Sequence, residues 1–181
     1  TEENAARLPQ SIGAATAEEI RDRHPTQPVE AVRDEPGVWI QKTGAGGGTP
    51  VVRGMMGNTV LYLVDGIRIN NGRLFSGPNA FFNQIDVGSI DRIEILKGPG
   101  SVQYGSDAMG GVIQFLTPTL DFFPETPAGG GRISGQYSTA DEGWMGHGET
   151  YYADSRLNAI AGATVFTADD YRTGGGDTLE N

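Results

Sequence analysis

The chain has 181 residues, which fits one domain of ordinary size or a small domain followed by part of another. Thirteen basic and 23 acidic residues leave a net charge of −10, which excludes nucleic-acid binding because phosphate contacts need clustered lysine and arginine. The absence of cysteine excludes disulfide bonds and thiolate metal or redox sites, and the 28 glycines, about twice the usual ~7%, indicate many tight turns.

The first 36 residues are polar and predict two short helices. Residues 16–19 (TAEE) have the side chains of a capping box, and the helix that they open is expected to run toward Arg23 and to end at His24. Pro28 suits the first position of a second helix, which we expect to reach Arg33. Neither helix is long enough to be stable alone, so both must pack against another element.

Residues 37–118 predict short strands that are separated by glycine-rich turns. Residues 41–49, with four glycines, are expected to form a loop. The pair Asp65-Gly66 lies between two β-rich runs and predicts a hairpin, because a type I′ turn needs positive φ. Two helices and a small mixed sheet indicate an α+β domain. The expected strands are residues 38–40, 50–53, 60–64, 67–69, 92–97 and 110–116.

The chain changes character after residues 117–127, which contain three prolines. Because proline breaks both helices and central strands, we expect a domain over residues 1–118, a linker over 119–128 and a second region over 129–181. That second region alternates with period two in strands of about ten residues, with one apolar face and one small or polar face. This pattern is typical of outer-membrane β-barrels, and an ordinary antiparallel meander fits it equally well.

No motif for catalysis occurs in the sequence, and we expect neither an enzyme nor a bound cofactor. The glycines of residues 98–111 are not followed by the Lys-Ser/Thr of a phosphate-binding loop, and residues 44–49 lack dinucleotide-binding spacing. Tight turns and close backbone packing explain these glycines better. Asp169, Asp170 and Asp177 have the oxygen ligands of a Ca²⁺ site, but a solvated acidic loop is the preferred interpretation, so no metal is expected.

Three stretches occur in an order that points to one family. They are residues 51–54 (VVRG), 61–70 (LYLVDGIRIN) and 90–113 (IDRIEILKGPGSVQYGSDAMGGVI). Together they closely resemble the plug domain of TonB-dependent outer-membrane receptors, over about residues 5–118. The resemblance implies an α+β plug domain with a small mixed sheet, followed by the first antiparallel strands of a transmembrane β-barrel that this chain leaves incomplete.

The barrel implied by the resemblance has about 22 strands and encloses the plug. Strands of ~9–11 residues would then need more than about 200 residues, whereas about 50 follow the proline-rich segment. We therefore expect a piece of a longer protein, or a barrel completed by another chain. The family's TonB box lies upstream of the residues that match here, so TonB would bind a segment outside this chain by β-strand addition.

The resemblance also implies a ligand site in outward-facing plug loops, which match residues 43–49, 55–58 and 71–79. The last of these loops, residues 71–79, offers a cation, an aromatic ring and amides together, which suits a polar, partly aromatic solute; an ordinary structural loop is the alternative. Within this set, Arg73 and Phe75 are expected to touch the ligand. The candidate ligand-binding residues are Asn58, Asn71, Arg73, Phe75 and Asn79.

Two charged residues match family positions that hold the plug in the barrel. Arg53 and Glu94, both on predicted strands, are expected to meet charges of the barrel wall, and a solvated strand charge is the alternative. Trp144, Tyr151 and Tyr152 have the residue types of a membrane-interface belt, although ordinary strand positions explain them equally well.

The function implied by the resemblance is import of a scarce nutrient such as a siderophore, haem or cobalamin, with the plug gating the barrel lumen. The alternative is a structural or assembly subunit of an outer-membrane complex, derived from a receptor fold and without transport. The expected location is the outer membrane of a Gram-negative bacterium. The expected partners are TonB, the remaining barrel strands in the same or another chain, outer-membrane lipid and a small-molecule ligand, with no nucleic acid.

Overall fold

The computed structural model describes residues 11–44, 47–70, 85–120, 123–139, 141–172 and 178–179. The chain divides into two compact units, Thr1–Thr117 and Pro118–Asn181. The first unit contains β1 (Ser11–Thr16), α1 (Ala17–Asp22), β2 (Val38–Gly44), β3 (Gly47–Val52), β4 (Val60–Val64), β5 (Ile67–Arg68), β6 (Arg92–Lys97), α2 (Ser101–Tyr104) and β7 (Gly111–Leu116). The second unit contains β8 (Ala128–Tyr137), β9 (Trp144–Ala153), β10 (Asn158–Thr167), β11 (Tyr171–Arg172) and β12 (Thr178–Leu179).

A five-stranded mixed sheet forms the centre of the first unit. Its order is β1-β6-β7-β4-β5, with β4 and β7 parallel and the other neighbours antiparallel. Period-two alternation sends Tyr62, Ile95 and Ile113 to one face, where all three are fully buried. The opposite face buries a second apolar cluster, formed by Leu61, Leu63, Leu96, Ala108 and Val112. The expected small mixed sheet of an α+β domain is therefore confirmed.

The first helix begins as the sequence predicts. Thr16 caps α1 through a capping box: its hydroxyl accepts a hydrogen bond from Glu19 N at 3.4 Å, and Glu19 Oε2 accepts one from Thr16 N at 2.8 Å. The hydrogen bond from the Thr16 backbone holds the pKa of Glu19 below its usual value. The second expected helix is only a 3₁₀ turn, Glu30–Val32, which buries Ala31 and Val32.

Residues 41–49 are not the loop that the glycines predict. Most of them lie in β2 and β3, which pair as an antiparallel hairpin from Val38↔Val52 to Gly44↔Gly47. Gly48 lies against the buried Val29 side chain, so that a Cβ there would approach Val29 Cγ1 to 2.9 Å. The glycines therefore permit close packing of a strand here, which composition alone cannot distinguish from a flexible loop.

The hairpin predicted at Asp65-Gly66 is confirmed. Both residues have positive φ, 47° and 80°, between the paired strands β4 and β5. The Asp65 carboxylate also accepts hydrogen bonds from the backbone N and the hydroxyl of Thr117, at 2.9 and 2.8 Å. The turn therefore also fixes the end of the first unit, directly after β7.

Glu30 stabilises the contact between the 3₁₀ turn and β2, and its protonation should weaken the fold. It accepts hydrogen bonds from Lys42 Nζ at 2.6 Å and from the N and Oγ1 of Thr26 at 2.7 and 3.0 Å. Burial alone would raise the pKa of Glu30, but the hydrogen bonds from Lys42 and Thr26 outweigh it and hold the pKa below 4.5. The ionised form therefore contributes stability above about pH 4.5, which is lost as pH falls through the lowered pKa.

We expect Glu30→Gln to flatten this acid-side loss. The variant should be less stable than the wild type near pH 7, by about 1–2 kcal/mol, and the difference should shrink toward pH 3. Hydrogen exchange of the β2 and β3 amides across this pH range measures both effects. Glu125→Gln, a change at an exposed residue of the second unit, is the control and should leave the profile unchanged. A constant difference from pH 7 to pH 3 would contradict the assignment.

The second unit is an antiparallel sheet of three ten-residue strands in the order β10-β9-β8, followed by the short pair β11–β12. One face carries exposed apolar side chains, including Ile133 at 92% and Val165 at 56%. The other face carries polar groups, including the Arg132–Glu149 ion pair at 3.2 Å. The alternating strands expected after the proline-rich segment are thus confirmed, and the strands that the structure describes do not close a barrel.

The aromatic residues of β9 are divided between these two faces. Trp144 and Tyr152 share the apolar face, whereas Tyr151 lies on the face of Glu149. A position in a membrane-interface belt stays a prediction for all three. Within the described ranges, no helix is both long enough and apolar enough to cross a membrane.

Candidate functional site

Several loops of the first unit, including the predicted ligand loop of residues 55–58, meet at one end of its sheet, which we call the loop end. At this end Lys97 pairs with Gly111, and Gly111 pairs with Val60. The chain returns to it from β5, where Ile69 N donates to Tyr62 O at 3.1 Å. Because strands β4 and β7 start here and β6 ends here, three segments converge. The loop end consists of residues 53–59, 69–70 and 98–110.

Backbone hydrogen bonds join two of these segments. Gly98 N donates to Gly110 O at 3.0 Å, and Gly100 N donates to Ala108 O at 2.8 Å, so residues 98–110 form a closed loop around α2. Gly110 N donates to Thr59 O at 2.8 Å and ties this loop to the segment before β4. Met55 lies against Gly110, where a Cβ would collide with the Met55 side chain. These glycines serve close packing, as the sequence indicates.

Arg68 joins β5 to the closed loop. Its Nη1 donates to Asp107 Oδ2 at 2.9 Å and to Ser106 Oγ at 3.1 Å, and its Nη2 donates to Tyr104 O at 3.0 Å. The partner Asp107 has a φ of 71°, a left-handed conformation that this charged contact helps to hold. Arg68 therefore fixes the position of β5 relative to α2, two residues before Asn70.

Asn70 extends the sheet with its side chain. Its Oδ1 accepts a hydrogen bond from Tyr62 N at 2.7 Å, and its Nδ2 donates one to Val60 O at 2.9 Å. The carboxamide thus replaces a peptide group of a neighbouring strand beside β4. Residues 71–79, which the sequence analysis assigns to ligand binding, follow directly. Arg68 and Asn70 therefore anchor the chain where that segment begins, and the sequence analysis assigned neither role.

The predicted ligand-binding residues are only partly described. Asn58 lies in the 3₁₀ turn Gly57–Thr59 at the loop end, and its side chain is exposed. This position is compatible with ligand contact, which stays a prediction. The other four predicted ligand residues, Asn71, Arg73, Phe75 and Asn79, lie outside the described residues.

Arg53 and Glu94 occupy different surroundings, and one of the two is not where the sequence predicts. Arg53 is not on a strand: it follows β3 in a turn with a φ of 50°, and its guanidinium lies beside Gly98. The positive φ, which is incompatible with extended pairing, explains the difference. Glu94 does lie on β6, where it forms an ion pair with Arg92 at 3.1 Å and its side chain is 44% exposed. Contact with a barrel wall stays a prediction for both residues.

Removing either charge from the intact protein tests the predicted contact with a barrel wall. We expect Arg53→Ala and Glu94→Ala each to raise the leak of small solutes, because loss of the predicted ion pair would leave its partner charge on the wall uncompensated. Alanine at φ 50° meets about the same steric restriction as arginine, so the first variant tests the side chain alone.

The measurement is the rate at which whole cells hydrolyse an impermeant chromogenic β-lactam. Arg33→Ala, which removes an exposed cation bonded to Glu30, is the matched control and should leave permeability unchanged. Wild-type permeability in both variants would show that neither charge holds the plug.

A buried ion pair also lies at this end of the sheet. Lys97 Nζ is 3.3 Å from Glu35 Oε2, and the side chains are only 6% and 10% exposed. Lys97 ends β6, and Glu35 lies between the turn Glu30–Val32 and β2. The motif around Lys97 is visible in sequence, but its partner is 62 residues away and carries no local signal.

No metal position emerges from the described part of the chain, where no three His, Asp or Glu side chains come together as ligands. Asp177, one of the three aspartates considered as Ca²⁺ ligands in the sequence analysis, lies outside the described residues. Burial raises the pKa of Tyr62, whose ring lies in the core of the sheet. The arrangement at the loop end can hold and position loops, and its exposed groups suit noncovalent ligand contact.

The fold and the loop end define the class to which the chain belongs. Residues 4–112 match the family model described as the TonB-dependent Receptor Plug Domain. This match covers more than half of the chain. The chain therefore belongs to the TonB-dependent receptor plug family, and the resemblance found in the sequence is confirmed.

Two proteins that share one name are similar to this chain in sequence. A vitamin B12 transporter BtuB from Vibrio vulnificus is 36% identical over 122 residues, 66% of this chain and 20% of that protein. A second vitamin B12 transporter BtuB, from Photobacterium profundum, is 35% identical over 160 residues, 87% of this chain and 26% of that protein. The chain thus spans about a fifth to a quarter of these relatives.

A solved structure shows the same fold. The ferric yersiniabactin uptake receptor FyuA from Yersinia pestis has a TM-score of 0.66 and is 24% identical, over 97% of this chain and 27% of that one. At this identity the likeness concerns the fold alone. It includes both units of the chain, since nearly all of the sequence is covered.

Proposed function

We propose that the chain forms the plug and the first barrel strands of an outer-membrane receptor that imports a scarce nutrient into a Gram-negative bacterium. The remaining barrel strands come from the same or another chain, and TonB supplies the energy through a segment upstream of the plug. The observation that carries the proposal is the match of residues 4–112 to the TonB-dependent Receptor Plug Domain. The anchoring of the chain by Arg68 and Asn70 directly before residues 71–79 supports a ligand segment at the loop end. The exposed apolar face of β8–β10 suits outer-membrane lipid.

Cobalamin is the first candidate substrate, and ferric siderophores and haem are the others. Two similar proteins are named vitamin B12 transporters. The predicted site is rich in carboxamides, which can exchange hydrogen bonds with the carboxamide groups at the rim of a corrin ring. Arg73 and Phe75 add a cation and an aromatic face for a large, partly apolar solute.

Binding to the purified intact protein tests this assignment. We expect cyanocobalamin to bind with a Kd of about 1 μM or tighter, and ferric enterobactin and haemin to bind at least about tenfold more weakly. The double variant Arg73→Ala/Phe75→Ala should weaken cyanocobalamin binding by about tenfold to a hundredfold, through loss of two direct contacts. Isothermal titration calorimetry measures each affinity.

Matched controls separate the ligand site from the fold. Arg156→Ala, at an exposed turn of the second unit, removes a cation and should leave binding unchanged. Unaltered affinity in the Arg73/Phe75 variant would remove those residues from the site. If a folded protein binds none of the three solutes and supports no TonB-dependent uptake, the structural-subunit alternative is favoured instead.

A further inference from the structure

Strand β1 lies at the edge of the five-stranded sheet. It pairs with β6 along its whole length, from Ser11↔Lys97 to Thr16↔Arg92. Within the described residues, no strand pairs with its other edge. An edge strand held by one ladder can leave a sheet without disrupting the remaining strand pairs. What holds β1, and what its departure exposes, therefore decides how readily it detaches.

The Lys97–Glu35 ion pair lies directly beneath β1. Gly13 is the strand residue above it: a Cβ at this position would collide with Glu35 Oε2 and would lie 2.8 Å from Lys97 Nζ. Lys97 and Gly13 lie on the same face of the sheet, since Gly13 is paired with Ile95, two residues before Lys97. The backbone of β1 therefore covers both charged groups, and only glycine leaves room for them.

A buried ion pair responds to exposure differently from an apolar pair. Taking two charges out of water has a desolvation penalty that their mutual attraction only partly offsets, so exposure of the pair recovers hydration. Exposing an apolar pair of similar size would instead be unfavourable, by ~25 cal/mol per Å² of apolar surface. Detachment of β1 should therefore require less free energy with the ion pair beneath Gly13 than it would with an apolar pair in the same position.

We propose that β1 is a detachable cover over the Lys97–Glu35 pair, and that hydration of the pair when β1 leaves makes its detachment easier. The position of the pair also indicates from which end of β1 detachment is easiest. Ser11, the first residue of β1, lies opposite Lys97, so separation that starts at the N-terminal end of the strand uncovers the pair in its first step. That TonB exerts the force on this end rests on the proposed function; the detachment itself does not.

Hydrogen exchange of the intact protein in detergent tests the energetic part. In the double variant Glu35→Leu/Lys97→Met, the β1 amides should exchange at least about tenfold more slowly than in the wild type. In Glu35→Leu alone, which leaves Lys97 buried without its partner, they should exchange at least about tenfold faster. Arg92→Gln breaks the exposed pair on the other face of β6 and should change β1 exchange less than about twofold. A folded double variant that exchanges as fast as the wild type, or faster, would overturn the proposal.

Lysine labelling of the wild-type side chain keeps the test decisive if the double variant does not fold. The chain has two lysines, and the more exposed Lys42 is an internal reference for Lys97. With an amine-reactive ester, Lys97 should react at least about tenfold more slowly than Lys42. A disulfide between Ile12→Cys and Leu96→Cys, which pair across β1 and β6, should slow Lys97 labelling at least about a further tenfold, and reduction should restore it.

Lys97 labelling that is as fast as that of Lys42, or unchanged by the disulfide, would show that β1 is not the cover. These measurements need neither ligand nor TonB. A failure here would therefore leave the proposed receptor function intact, and failure of nutrient binding would leave the detachment of β1 intact.

Discussion

Gly111→Ala is expected to destabilise the first unit by about 2–4 kcal/mol. A Cβ at Gly111 would collide with the carbonyl oxygen of Leu96, its neighbour on the paired strand, and would lie 3.0 Å from Val52 Cγ1. The backbone oxygen cannot rotate away, because β6 and β7 are paired along their full length in the middle of the sheet. Relief requires the two central strands to separate locally, which is more disruptive than a side-chain adjustment.

The control for this prediction is a glycine with open space. At Gly148, on β9, an added Cβ meets nothing within 4 Å, so Gly148→Ala should be neutral or slightly stabilising through reduced freedom of the unfolded chain. Hydrogen exchange of the β4 and β7 amides reports the loss in the first variant. Equal protection in Gly111→Ala and the wild type would show that the β6–β7 pair accommodates the methyl group.

The two variants also show why glycine content alone misleads. From the sequence, Gly111 and Gly148 both read as small residues within β-rich runs. In the structure, the Leu96 carbonyl oxygen leaves no room for a side chain at Gly111, whereas the space around Gly148 is open. Gly48, which the sequence assigns to a loop, lies in β3 against Val29. Which glycine matters depends on strands that are distant in sequence, and composition carries no such information.

Local signals predicted local structure well. The capping box at Thr16, the turn at Asp65-Gly66 and the strand Arg92–Lys97 all form as the residue pattern indicates, because each depends on neighbours within a few positions. The prediction that Arg53 lies on a strand was wrong, because the sequence does not reveal a left-handed φ in a non-glycine residue.

The contacts that build the candidate site were not predicted, for a common reason. Arg68 reaches Asp107 across 39 positions, and Lys97 reaches Glu35 across 62. In the sequence, each of these residues resembles an ordinary charged residue of a strand or loop. Only the folded sheet brings its partner close. The motifs nevertheless identified the family, because motif recognition needs the order of the residues and not their contacts.

Asn70→Ala is expected to weaken the anchor before the predicted ligand segment and to destabilise the β4–β5 edge by about 2–4 kcal/mol. The substitution removes the partners of Tyr62 N and Val60 O at once. Tyr62 is fully buried and Val60 is too, so neither backbone group regains full hydration without local opening. An unsatisfied buried group costs about 1–3 kcal/mol, and two of them give the expected range.

Conservative variants distinguish this role from simple loss of bulk. Asn70→Asp keeps an acceptor for Tyr62 N but places an oxygen against Val60 O, so it should recover at most part of the stability. Asn58→Ala removes an exposed carboxamide at the same end of the sheet and should change the free energy of unfolding by less than about 0.5 kcal/mol. Hydrogen exchange of the Tyr62 amide measures the local effect, and cyanocobalamin affinity measures the functional one.

The two readouts together decide what Asn70 does. If Asn70 positions the ligand segment, Asn70→Ala should lose affinity along with Tyr62 protection, whereas Asn58→Ala should lose affinity alone if Asn58 contacts ligand. Loss of Tyr62 protection with unchanged affinity would mean that residues 71–79 are oriented by contacts other than this anchor. The Asn70 carboxamide would then only complete the hydrogen bonds of β4 at the edge of the sheet, and this edge would have no influence on ligand affinity.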